Sequence, residues 1–154
     1  SGGISMGKSD FVGSAIKDLG VKIKFTKVLQ RPGQPLTFGL YKSKPVFCLP
    51  GNPVSTLMSF EMHVRPSLFK MMKRNDLARQ KVTAYILEDI RVKPGRTYFL
   101  RVCLSQRKGR YYARLTGPQG SGIMKSMVLA NGIFVVPEKF YIIKNSEQLP
   151  VIIL

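Results

Sequence analysis

The apolar positions of this chain follow one period in its first half and another in its second. Phe11, Ala15, Ile16 and Leu19 fall at helical spacing, and Gly20 follows as a helix-ending glycine. The pattern predicts a helix over 10–19, with Ser9 as N-cap and Asp10 in the first turn. Over 21–28 apolar and basic residues alternate, as in a half-buried strand. Two more short strands are predicted at 36–41 and 45–49. In Pro50-Gly51-Asn52-Pro53, Asn52 suits an N-cap and Pro53 the first helical position. A helix through Val54, Leu57, Met58, Phe60 and Met62 follows, and Pro66 should kink it or restart it before 68–72.

Beyond Lys73-Arg74-Asn75-Asp76 the spacing shifts to short strands separated by Gly and Pro, at 82–87, 98–105, 111–115, 133–136 and 151–154, with a short helix at 123–130. Even strands of this kind predict a small all-β barrel or sandwich. The fold class is therefore α/β followed by a small all-β barrel-like domain, divided as 1–74 and 77–154. Strand–helix segments need a sheet covered on both sides, and the first half supplies too few strands for one. The natural polypeptide is therefore expected to extend further toward the N-terminus. No apolar run is long enough to cross a membrane, and residues 1–5 lack the features of a signal peptide.

Charge narrows the functional classes. Lys plus Arg number 25 against 8 Asp plus Glu, a net charge of +17. Such a chain attracts anions: nucleic acid, anionic lipid, or phosphate and oxyanion ligands. Cys48 and Cys103 lie far apart without metal-ligand spacing and are expected to be buried thiols in a reducing cytosol. His63 has no ligand partner at metal spacing, which predicts a structural or surface role. Met58, Met62, Met71 and Met72 read as core or dimer contacts. Arg107-Lys108-Gly109-Arg110-Tyr111-Tyr112 combines charge with aromatic faces. That run suits nucleic acid, but a solvated β-turn with its tyrosines on alternate faces accounts for it better.

Three small-residue loops carry candidate chemistry. Ser1 to Asp10 is a glycine-rich approach to a helix and reads either as a phosphate loop or as a tight turn. Asp10 in it can hold Mg²⁺ or simply stabilise the helix start. Arg31-Pro32-Gly33-Gln34-Pro35 is a rigid turn presenting a guanidinium suited to oxyanions. Leu49-Pro50-Gly51-Asn52-Pro53-Val54-Ser55 brings backbone amides and the Ser55 hydroxyl to a second helix start.

These segments resemble, in order, four motifs of the molybdopterin molybdenumtransferase family, known as MoeA in bacteria and as the gephyrin E domain in animals. Residues 1–10 resemble SGGxSxGxxD. The loop 31–35 with Phe38-Gly39 is similar to the family's PG loop and FG pair, and 49–55 to LPGNPVS. Residues 119–127 resemble QGSG and its helix, followed by Asn131-Gly132 and Pro137-Glu138. The resemblance implies that 1–74 is the C-terminal half of a three-layer molybdopterin-binding α/β domain and 77–154 a C-terminal β-barrel-like domain. It implies a cytoplasmic homodimer that takes adenylylated molybdopterin and molybdate, uses Mg²⁺, inserts the metal and releases AMP, with this stretch inactive alone. Asp10 matches the catalytic, Mg²⁺-associated aspartate. Gly2, Gly3, Ser5, Gly7, Pro50, Gly51 and Asn52 would bind molybdopterin, and Arg31, Gln34, Ser55, Arg101 and Ser121 molybdate. Gln34 stands where the family usually has lysine. The loss of a full charge there bears on molybdate capture and on the choice between molybdate and tungstate. A non-catalytic molybdopterin carrier or scaffold of the same fold is the alternative.

Overall fold

Residues 1–4 and 11–154 are described by the computed structural model, and they separate into two units, Ser1–Leu77 and Ala78–Leu154. The expected cap Ser9, and Asp10 with it, lie outside the described residues.

In the first unit, helix α1 (Val12–Asp18) ends as its sequence dictates. Gly20 takes a φ of +81°, its N–H donates to the Lys17 carbonyl at 2.8 Å, and the Val21 N–H donates to Ile16 at 3.0 Å. The periodicity assigned α1 a buried face of Phe11, Ala15, Ile16 and Leu19, yet only Ile16 is buried, while Phe11 and Leu19 are 70% and 69% exposed. Among the described residues, the first unit places no further element over that face.

Strands β1 (Lys22–Lys27), β2 (Gln30–Arg31), β3 (Pro35–Tyr41) and β4 (Lys44–Cys48) follow. β1, β3 and β4 form an antiparallel sheet in the order β1-β3-β4. The β3–β4 hairpin closes through Lys42 and Ser43, both at positive φ (45° and 67°), the two-residue turn whose twist matches its strands. Phe25, Phe38 and Phe47 stack across the sheet at 5.5 and 4.9 Å. β1 itself is largely exposed, although its sequence alternates like a half-buried strand.

The long helical segment comes in three pieces: α2 (Pro53–Ser59), a π turn (Phe60–Val64) and α3 (Arg65–Met71). Pro66 has no N–H for the preceding turn and sits in the first turn of α3, so the helix restarts where the sequence predicted a break. Met58 is buried, whereas Met71 and Met72 are 59% and 66% exposed.

The second unit is a five-stranded closed barrel. Its strands are β5 (Lys81–Ile86), β7 (Thr97–Arg107), β8 (Arg110–Leu115), β9 (Gly132–Val136) and β11 (Gln148–Ile153). The order runs β7-β8-β5-β11-β9, and β7 also pairs with β9, which closes the ring. The β5–β8 pair is parallel and the other pairs antiparallel. The short strands β6 (Ile90–Arg91) and β10 (Ile142–Ile143), which the periodicity did not suggest, pair beside the barrel. Helix α4 (Lys125–Val128) is the core of the helix expected at 123–130.

Alternation places Leu100, Val102, Ala113, Phe134, Val136 and Val151 in one apolar core. It equally turns Cys103 outward, and this cysteine is exposed, with its thiol donating to the Leu129 carbonyl at 3.3 Å. The expectation of two buried thiols therefore holds for Cys48 alone, whose thiol burial pushes above its ordinary pKa. Tyr111 faces the core while Tyr112 stacks on Tyr85 at 5.5 Å outside, so the tyrosines of the basic hairpin do lie on alternate faces.

Candidate functional site

Two of the three sequence-predicted loops meet at backbone distance. The Gly2 N–H donates to the Leu49 carbonyl at 3.0 Å, and a Cβ added to Gly51 would lie 3.3 Å from the Gly2 Cα. A side chain at Gly51 would crowd the Gly2 backbone, and Gly2 itself takes a φ of +89° that favours glycine. Gly3, at a φ of +64°, accepts from the Val12 N–H at 3.2 Å and so ties the first loop to α1. Ser5, Gly7 and Asp10 lie outside the described residues.

Asn52 occupies the N-cap of α2 with extended backbone, but its side chain makes no capping bond. Its Oδ1 is buried without a donor among the described residues. Thr56 ties the turn to the helix in a different way, its hydroxyl donating to the Asn52 carbonyl at 3.0 Å with the Pro50 carbonyl also in reach. Pro50 is buried and Gly51 exposed, so the turn shows its glycine rather than its proline.

The second loop, 31–35, lies on the same helix. Gly33 has a φ of +89°, and a Cβ there would come within 2.5 Å of Ser59 Oγ and 3.3 Å of the Ser55 carbonyl. Ser55 and Ser59, four residues apart, share the helix face under the loop, and both are buried. Ser59 Oγ has no partner among the described residues. Arg31 is exposed, the Arg31–Pro32 peptide is cis, and the Gln34 carbonyl accepts from the Val28 N–H at 3.1 Å.

The loop is also held from within. Gln30, 4% exposed, donates from Nε2 to the carbonyls of Pro32 (3.2 Å) and Gly33 (3.4 Å). Its Oε1 lies 2.7 Å from His63 Nε2. Sequence reasoning missed Gln30, Ser59 and the partner of His63. The Gln30–His63 contact spans 33 positions and has no local signature.

In the second unit, Arg101 is held by residues of the 119–126 segment. Arg101 is fully buried. Its Nε donates to Ser126 Oγ at 3.1 Å and its Nη2 to the Gly120 carbonyl at 3.1 Å, while Nη1 has no partner among the described residues. Gln119 brackets the same residue. Its Oε1 accepts from the Arg101 N–H at 2.8 Å, and its Nε2 donates to the Arg101 carbonyl at 3.2 Å. Burial draws the guanidinium below its ordinary pKa, although arginine stays charged. A buried cation bonded to a hydroxyl and a carbonyl keeps a donor for an anion. Ser121, next to Gly120, is exposed. Gln119 and Ser126 lay inside the recognised motif and were not singled out.

The described residues contain no group of three or more His, Cys, Asp or Glu that could hold a metal ion.

The first unit's loops are the region covered by the model of the "Probable molybdopterin binding domain", which matches residues 1–70. The model of the "MoeA C-terminal region (domain IV)" matches residues 83–154. The chain belongs to the MoeA family. It is 33% identical over 141 residues to the molybdenum cofactor synthesis protein cinnamon of Drosophila melanogaster, covering 90% of this chain and 23% of that protein. It is 31% identical over 156 residues to molybdopterin molybdenumtransferase 2 of Mycobacterium tuberculosis, covering 98% and 38%. A crystal structure of the MoeA protein of Pyrococcus horikoshii superposes with a TM-score of 0.76 at 30% identity, covering 94% of this chain and 34% of that one. The MoeA-type chain thus spans between about a quarter and two fifths of the length of these relatives. None of its described helices is long and apolar enough to cross a membrane.

Proposed function

We propose that the protein, in its full length, inserts molybdate into adenylylated molybdopterin with release of AMP, as a cytoplasmic homodimer. One observation carries the reading. The Gly2 loop packs on the Gly51 loop while the Arg31–Pro35 loop packs on the Ser55–Ser59 face of the same helix, α2. These contacts support the reading, because glycine backbone meets at the start of α2 and a buried serine face of that helix underlies a loop carrying the exposed Arg31, in a strongly basic chain. A tetrahedral dianion is recognised by such donors and not by an apolar pocket.

In this reading Gly2, Gly3, Ser5, Gly7, Pro50, Gly51 and Asn52 hold molybdopterin. The unpaired Asn52 Oδ1 offers an acceptor to a ligand N–H or O–H. Arg31, Gln34, Ser55, Arg101 and Ser121 serve molybdate. Asp10 acts at the adenylate bond and holds Mg²⁺ together with substrate phosphate, which suits an ion usually bound by one or two carboxylates.

The test is AMP release from adenylylated molybdopterin by the full-length protein, with and without molybdate. Molybdate-dependent release is expected, and tight cofactor binding without release would overturn the reading. Gln34 is the observation that favours a second reading, a carrier of the same fold, because it lacks the charge of the usual lysine. Gln34→Lys should raise molybdate-dependent turnover in an enzyme. It should leave a carrier inactive.

A further inference from the structure

We propose that His63 is a positioning residue for the loop 31–35, holding it through Gln30 in the shape that presents Arg31 to an oxyanion. The inference rests on the functional reading of that loop given above, and it adds a residue from a distant helical segment.

The hydrogen-bond geometry fixes the direction of the relay. A carboxamide has two donors on nitrogen and an acceptor oxygen. Gln30 directs Nε2 to two loop carbonyls, Pro32 at 3.2 Å and Gly33 at 3.4 Å. Its oxygen therefore faces away from the loop and needs a donor, and the group 2.7 Å from it is His63 Nε2. The proton must sit on Nε2, whether the ring is neutral or charged. With the donor removed, the buried Gln30 oxygen is left unpaired. Rotating the amide by half a turn would set that oxygen against the loop carbonyls.

The helix is locally shaped for this contact. His63 lies in the π turn Phe60–Val64, three residues before Pro66, and the Ser67 hydroxyl donates to the His63 carbonyl at 2.7 Å. Such π turns often mark functional positions. The ring also borders an open apolar hollow of about 340 Å³ lined by Phe25, Phe38, Phe47, Met62 and Pro66. A Cβ on Gly33 would come within 2.5 Å of Ser59 Oγ, 2.8 Å of Gln30 Nε2 and 3.3 Å of the Ser55 carbonyl, so the latch and the α2 serine face meet the loop at one point. The loop is thus seated on α2 and latched by Gln30, and the latch is oriented by His63.

The experiment compares wild type, His63→Leu and His63→Gln in the full-length protein. His63→Leu removes the donor, and His63→Gln restores an N–H. His63→Leu is expected to raise the molybdate KM roughly tenfold, the scale set by one unpaired buried polar group. The KM for adenylylated molybdopterin and kcat should stay within about twofold, and His63→Gln should return the molybdate KM toward wild type. Equal changes in all parameters, or no change in the molybdate KM, would overturn the proposal. A wild type that releases no AMP defeats the functional reading instead. The latch is then judged by nitrogen-15 NMR of the imidazole and by amide exchange at Gly33 and Gln34. An Nε2–H ring, with faster loop exchange in His63→Leu than in His63→Gln, supports it. An Nδ1–H ring or unchanged exchange overturns it.

Discussion

In Ala78–Leu154 the barrel interior holds a long series of apolar residues at most 1% exposed, Val102, Ala113, Phe134, Val136 and Val151 among them, with Val128 and Tyr141 exposed outside it; in Ser1–Leu77 full burial is limited to a few such as Leu36, Val54 and Met58, while Phe11, Leu19, Leu57, Leu68, Met71 and Met72 stand open to solvent. Both units carry amphipathic elements, so composition does not separate them. Closure does. β7 pairs with β8 on one side and β9 on the other, so every barrel strand has two neighbours and one enclosed face. In the first unit a three-stranded sheet and a helical segment cover each other in part, and their loops stay accessible. Rigid burial is concentrated in the second unit, and the loops with candidate chemistry are concentrated in the first.

Substitutions can break this division of labour, if it is wrong, at its strongest points. Phe134→Ala removes a fully buried ring from the barrel core. It should cost about 3–5 kcal/mol, read as a lower melting temperature with amide protection lost first in 78–154. Asp10→Ala should do the reverse in the full-length protein, lowering AMP release by roughly 10²–10³-fold with melting unchanged. Normal release would remove Asp10 from the mechanism, and a collapse of melting would make it structural. Gly33→Ala meets Ser59 Oγ at 2.5 Å in a left-handed backbone conformation. It should destabilise the first unit by about 1–3 kcal/mol, measurable by denaturant titration.

Acid should separate the units as well. The chain has one histidine, His63, and burial holds its pKa below the ordinary 6.5. The unfolded chain therefore takes up the proton first as pH falls, and stability attributable to this ring is lost below about pH 6.5. The second unit has no such group. Its Asp89 is held below the ordinary carboxylate value by the Asn145 N–H and Lys144, so that contribution is lost only at lower pH. Exchange monitored along an acid titration should show 1–77 loosening before 78–154, and His63→Gln should abolish the difference near pH 6. The smallest effect sharpens the contrast from the open side. Phe11→Ser, at a residue 70% exposed, should change stability by no more than about 0.5 kcal/mol.

The barrel was the more legible unit because alternation with a period of two is a local signal, and a closed sheet turns that signal directly into burial. Strands β5, β7, β8, β9 and β11 each overlap an expected segment, although β11 begins three residues earlier than expected. Pro66 likewise announced the helix break, since a missing N–H acts locally. What was not legible depends on partners elsewhere. The face of α1 carries a helical pattern that the first unit does not bury. The hairpin turn at Lys42-Ser43 lacks the Asn-Gly signal that such turns usually display. For the site, glycine positions were readable as places of close approach, and the Gly2–Gly51 and Gly33–Ser59 contacts show why. Arg101 could be selected from its motif, but not its enclosure by Gln119, Gly120 and Ser126, because that depends on how residues 116–126 fold over β7.

The open sheet also gives part of the positive charge a protective meaning. A ring of strands exposes no backbone ladder, but the order β1-β3-β4 leaves β1 and β4 as terminal strands of their sheet. Unpaired ladder groups invite a strand from another molecule, and lysines and prolines discourage it. β1 carries Lys22, Lys24 and Lys27, and β4 opens with Lys44-Pro45. Among the described residues these charges and Pro45 sit where strand addition would start, so neutralising them is expected to favour aggregation by strand addition even with native stability unchanged, read by light scattering of the variants.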